Sequence, residues 1–185
     1  MEIPSLTDEE EKELYRLSKF YWSEAVRCEN ANAYLAGCVM LGSALETLLI
    51  LMINIFGDEA MATAKVPMHK GSPKPLFDWS LAELLKVAKS ANWLPSKNLP
   101  LDGNWGRKRG AVGDYAEMAR MIRNLLHPAR YTQDHFRKRI TSRILQSQFD
   151  VVLLCRDWLV ARNNEGLFEA IKEEEERQAV AKLNN

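Results

Sequence analysis

The stretch AEMARMIRNLLHPARY, residues 116–131, brings together side-chain types that can do phosphate chemistry. On a helical repeat, Glu117, Arg120, Arg123, Asn124 and His127 fall on one arc. The opposite arc holds Tyr115, Met118, Ala119, Met121, Ile122, Leu125 and Leu126, all apolar or aromatic. Arginine offers a planar fork of donors that matches phosphate oxygens and stays charged at any working pH. Histidine takes or gives a proton near neutrality, and two neighbouring guanidinium groups favour its neutral, basic form. Asn124 can hydrogen-bond a phosphate or steady a side chain. These parts suffice for cleaving RNA without a metal. The ribose 2′-OH would attack, His127 would move the proton, and Arg120 or Arg123 would offset charge on the phosphorane. Proton transfer of this kind contributes about 10²–10⁴ in rate.

A plainer reading of the same residues stands beside it. Arginine near a helix C-terminus favours the helix dipole. Arg123 could also be the partner of Glu46, a carboxylate in the middle of the most apolar stretch of the chain. Both readings predict a helix, and they differ in whether the arginines face a ligand or the core.

Further candidates flank the motif. The segment NWGRKRG, residues 104–110, joins Trp105 to Arg107, Lys108 and Arg109. Base stacking combined with phosphate attraction is how single strands are held. The alternative is a solvated basic loop whose tryptophan anchors in the core. With Arg130 just past the motif, these four residues are the candidates for nucleic-acid binding. Arg137, Lys138 and Arg139 form a second basic cluster, which an exposed helix turn explains equally well. His69 and His135 have no second ligand at metal spacing, so no metal site is expected. The GxxxxGK[ST], GxSxG and CxxC patterns do not occur, and no cofactor is expected.

The elements that must position these groups are helical. Thr7 with Glu10 makes a capping box that opens a helix over about 8–29. A second helix runs from Asn30 or Asn32 to Phe56, where Gly57 ends it. Its 24 residues from Ala33 are long enough to cross a bilayer. Glu46 at its centre, acidic flanks, and Ser43, Thr47 and Asn54 point instead to a helix buried on most sides, with no membrane partner. Residues 58–78, with Pro67, Pro73 and Pro75, are expected to form a loop. Ser80 and Glu83 cap a short helix through about Ala91. After a second irregular segment come the motif helix, about Ala111 to His127, and a break at Pro128. A long helix follows from about Asp134, its cap, to Arg162, and a charged helix covers about 165–182. The predicted fold is an all-α antiparallel helical bundle.

Length and composition agree with one domain. The chain has 185 residues, of which 46% are hydrophobic and 27% charged, ordinary for a globular protein. Cys28, Cys38 and Cys155 are too few and too scattered for a disulfide framework, and they suit small core positions. The opening residues MEIPSLTDEEEKEL are acidic where a signal peptide would be basic, so a reducing cytoplasm is expected. Net charge is zero but unevenly spread. Residues 1–60 carry 4 basic and 11 acidic side chains, and residues 61–140 carry 15 and 6. The basic middle could meet an anionic partner or pair with the acidic flanks inside the fold.

The arrangement resembles the HEPN superfamily, helical bundles that carry an Arg-x(4–6)-His motif, many with a polar residue after the arginine. RNLLHP at 123–128 supplies Arg-Asn and His, and LGSALETLL at 41–49 is similar to the family's long early helix. The order of elements fits over about residues 8–162. Arg123 and His127 enclose three residues, one fewer than the family spacing. Arg120 and His127 enclose six, but Met121 follows Arg120. The resemblance implies one HEPN-like domain over 1–185, with a charged helical extension at 163–185. It implies a homodimer in which two motif helices meet in a cleft. The implied activity is that of a metal-independent endoribonuclease of toxin or antiviral type, acting on RNA through Arg120, Arg123, Asn124 and His127. A cognate antitoxin or regulatory protein is an implied partner. Other members of the superfamily only bind RNA, a nucleotide or a partner protein.

Overall fold

The computed structural model describes residues 2–98, 110–134 and 140–183; the side chains of 133–134 and 163–183 lie outside that description. Thr7 accepts from the Glu10 amide and Glu10 from the Thr7 amide, so the expected capping box starts α1, Asp8–Asn30. Asn32, at φ 56°, then turns the chain. The Asn32 amide donates to the Glu29 carbonyl at 2.9 Å and the Ala33 amide to the Cys28 carbonyl at 2.8 Å. That pair of bonds satisfies the orphan carbonyls of α1. It launches α2, Tyr34–Ile55, back along α1. At the far end Asn54 accepts from the Leu6 amide at 2.8 Å and donates to Glu11, pinning the N-terminal segment to α2.

α2 is the central element, packed against α1 and against the later helices α4, Leu81–Ser90, α5, Val112–Asn124, and α7, Ser142–Leu183. Its buried side chains, from Cys38 to Ile53, face in nearly every direction. Among the described residues it alone is long and apolar enough to cross a membrane, and 72% of that apolar window is buried inside the bundle. A helix hydrophobic all round is a core helix when other helices cover it, which fits the buried helix expected from its polar interruptions.

Residues 57–78 are more ordered than the loop expected from their prolines. They hold α3, Gly57–Ala62, then the two-residue strands β1, Met68–His69, and β2, Ser72–Pro73. Lys70 and Gly71, at φ 49° and 85°, make the tight turn between the strands. A 3₁₀ turn at Leu76–Asp78 follows. The capping box of Ser80 and Glu83 opens α4, Leu81–Ser90, as its sequence requires.

The C-terminal half departs from the expected boundaries in three places. The motif helix α5, Val112–Asn124, ends before His127. Pro128 disfavours helical backbone at His127 and suits the first position of a new helix. That helix is α6, Pro128–Asp134, opened by the Tyr131 amide donating to the His127 carbonyl at 2.8 Å. Asp134 therefore closes α6 and does not cap the next helix. Finally, α7 runs unbroken over Ser142–Leu183, joining what the sequence suggested were two helices. Gly166 costs about 1 kcal/mol inside a helix but does not stop one. The fold is all-α, a helical bundle with one small hairpin.

Candidate functional site

α5 enters the bundle through a firm N-terminal anchor. Asp114 is buried, and its carboxylate accepts from the Ala111 amide at 2.8 Å, the Lys97 amide at 3.0 Å and the Ser96 hydroxyl at 2.7 Å. The Gly113 amide donates to the Pro95 carbonyl at 2.8 Å. An added Cβ at Gly113 would lie 2.5 Å from the Leu94 carbonyl, so only glycine admits this approach. The turn that delivers Leu94 and Pro95 follows α4, where Asn92 at φ 59° reverses the chain and Trp93 is buried.

From this anchor α5 runs 13 residues, about 20 Å at 1.5 Å per residue. Glu117, Arg120, Arg123 and Asn124 lie along it, half-buried, and not on an open face. Glu117 accepts from Lys89 of α4 at 2.7 Å and from Arg120 Nε at 2.7 Å. Burial alone would raise the Glu117 carboxyl. The hydrogen bonds from Lys89 and Arg120 outweigh it and hold the group below the usual carboxylate range.

Arg123 turns the other way, toward α2. Its Nη2 donates to Glu46 Oε2 at 2.6 Å. Its aliphatic stem crosses Gly42, where an added Cβ would lie 2.9 Å from both Cβ and Cδ of Arg123. Gly42 and Glu46 are one turn apart on α2, so one helix face takes both the stem and the head of the arginine. Burial raises the Glu46 carboxyl above its ordinary value, and Arg123 offsets this only in part.

The last residues of the motif leave the regular helix. The amides of Leu125, Leu126 and His127 donate to carbonyls three residues back, at 3.1, 3.4 and 3.0 Å. This tightened turn sends His127 to the surface, beside Leu126, Arg130 and Tyr131, all exposed. His127 therefore lies just past the regular helix, at an exposed position. Of the expected site residues, Arg120, Arg123 and Asn124 share one stretch of α5, and His127 lies just past its end. Arg130 is on α6. Trp105, Arg107, Lys108 and Arg109, like His135 and Arg137–Arg139, lie outside the described residues. Residues 96–97 and 110–111, which flank the Trp105 segment, meet at the opposite end of α5 from His127.

Chemically, the guanidinium groups are paired but not used up. A guanidinium has five N–H donors. Among the described residues, Arg123 donates through Nη2 and Arg120 through Nε. Their side chains keep 29% and 22% exposure, so neither is sealed inside the bundle. The described residues hold no group of three His, Cys, Asp or Glu side chains placed to bind a metal. Burial pushes the Cys38 and Cys155 thiols up to about 12, as for inert core residues.

Three participants escaped sequence reasoning. Lys89 reaches Glu117 from another helix, and no local pattern announces that. Asp114 would pass for an ordinary first-turn acid. Gly42 did leave a signal, since a lone glycine inside an apolar helix often marks a close approach. Compared with family models, curated proteins and solved structures, the chain gives no match.

Proposed function

We propose that this chain is a HEPN-like, RNA-directed protein that acts as a homodimeric, metal-independent endoribonuclease of toxin or antiviral type. His127 moves the proton of the attacking 2′-OH, and Arg123, with Arg120, offsets charge on the phosphorane. The P–O5′ bond then breaks, leaving a 2′,3′-cyclic phosphate and a 5′ oxygen that takes a proton from the imidazolium or water. The reading is carried by one observation: a solvent-exposed imidazole one turn beyond a partly exposed guanidinium. The neighbouring amide of Asn124 is available to orient either group or the phosphate. RNA is the implied ligand because its 2′-OH supplies the nucleophile that the chain would otherwise have to provide.

The experiment is cleavage of a generic single-stranded RNA in excess chelator, by the full chain and by His127→Ala. Loss of cleavage in His127→Ala, with an unchanged circular-dichroism spectrum, supports the reading. Activity that survives the substitution, or that chelator abolishes, counts against it.

A second reading has its own observation. Each guanidinium is already committed to a carboxylate, Arg123 to Glu46 and Arg120 to Glu117. That pattern suits a non-catalytic HEPN-like module that binds a partner protein or a nucleotide. In that case partner or nucleotide binding persists in His127→Ala and no turnover is seen in either protein.

A further inference from the structure

We propose that Gly42 and Glu46 form a cradle on α2 for Arg123, in which Glu46 is a removable counter-ion that an RNA phosphate displaces. The inference rests on the reading that Arg123 meets RNA, and it adds two positioning residues to it.

The geometry is specific. The stem of Arg123 can lie across α2 only because position 42 lacks a Cβ; an alanine there would meet Cβ and Cδ at 2.9 Å. Four residues on, Glu46 receives the head at 2.6 Å. The Glu46 side chain keeps 21% exposure and that of Arg123 keeps 29%, so the pair lies at the rim of the bundle and not beneath it. A carboxylate and a phosphate monoanion compete for the same donor fork. Glu46 thus has two effects of opposite sign. It fixes the guanidinium in place when no ligand is bound, and it repels the incoming phosphate. Burial weakens its hold, since the charged carboxylate is disfavoured there. The arginine is aimed by Gly42 and kept by Glu46 until a phosphate takes its place.

The test uses the full chain and a 2′-O-methyl RNA oligonucleotide, which cannot be cleaved, with binding followed by fluorescence anisotropy over a range of salt. Glu46→Gln keeps the shape and removes the competing charge. It is expected to bind about tenfold tighter, the equivalent of about 1.4 kcal/mol. Its salt slope should steepen by about 0.7, because the Glu46 charge no longer offsets one phosphate contact on a single strand. Arg123→Ala should bind more weakly than the unmodified protein, and adding Glu46→Gln to it should restore nothing. Gly42→Ala should weaken binding by displacing the stem. Glu46→Asp, shorter by a methylene, should show a smaller gain than Glu46→Gln and serves should the latter fold poorly. The proposal is overturned if Glu46→Gln binds no tighter. It is also overturned if its gain persists without Arg123, which would make it a general charge effect, or if no variant binds. Cleavage of unmodified RNA is scored separately. A tighter Glu46→Gln without cleavage keeps the cradle and removes the nuclease. Cleavage without the gain does the reverse.

Discussion

Arg120 and Arg123 are one turn apart on α5 yet are turned to different neighbours. Arg123 reaches Glu46 on α2 at 2.6 Å, while Arg120 shares Glu117 with Lys89 of α4. The polar arc of α5 therefore fastens one helix to two others. Partly buried pairs of this kind cost most when a single partner is removed, because the other charge is left without compensation. Arg123→Ala is expected to destabilise the fold by about 1–3 kcal/mol, the cost of an unsatisfied buried group. Adding Glu46→Ala should recover part of that loss, giving a coupling of about 0.5–3 kcal/mol in a double-mutant cycle. Urea denaturation of the four proteins measures it. Additive losses would mean that the pair does not interact.

The two carboxylates of the arc should respond to pH with opposite signs. Glu117 is held below its ordinary value, so its contribution is complete above the unfolded-state value and is lost as pH falls through the folded one. Glu46 is held above its ordinary value, so whatever it contributes is present below the unfolded-state value and is lost as pH rises through the folded one. Glu117→Gln should cost about 1.5–3 kcal/mol at neutral pH, the range for hydrogen bonds to charged groups, and progressively less in acid. Glu46→Gln should cost more in acid than at neutral pH relative to the parent protein. Melting temperatures across the acid range separate the two. Parallel curves for the variants would contradict the assignment.

The helices were legible because their signals are local. Thr7–Glu10 and Ser80–Glu83 cap where their spacing requires, and the apolar run of α2 is buried as its polar interruptions imply. The end of α5 is less legible, because the periodicity extends through His127 while the following proline disfavours helical backbone there. That boundary matters for the site, since it leaves His127 exposed past the helix end while the arginines stay half-buried. The Glu46–Arg123 pair is one of the two open readings of the motif, because a carboxylate among leucines needs a cation to neutralise it. The bridge from Lys89 and the fit of Arg123 over Gly42 depend on how helices cross. No spacing along one chain segment encodes that crossing.

Asp114 is expected to be the most sensitive polar position near the site. It is 4% exposed and, among the described residues, accepts from the Ser96 hydroxyl and from the amides of Lys97 and Ala111. Ala at this position removes both acceptor oxygens and leaves the two amides without them. Asp114→Ala should therefore lose about 2–4 kcal/mol, roughly one to two unsatisfied amides. Amide hydrogen exchange at Ala111 and Lys97 should accelerate together, since the one carboxylate protects both. Acceleration at only one of them would show that the carboxylate does not join the two segments.

Gln148 gives the opposite expectation, a substitution that stabilises. It lies on the inner face of α7, 1% exposed, three residues beyond Leu145, which packs on Gly37 of α2. Neither its amide nitrogen nor its oxygen has a hydrogen-bond partner among the described residues. Burying such a group without a partner costs about 1–3 kcal/mol by mutational measure. Methionine has similar length and flexibility and no such penalty, and its thioether fills irregular space well. Gln148→Met should raise stability by about 1–2 kcal/mol, with the cost of a slightly different shape subtracted. Because α7 packs on both α2 and α5, the gain should appear as a higher urea midpoint with an unchanged slope. A loss of stability instead would mean that the amide has a partner in solution, such as an ordered water, and that the core at this level is polar by design.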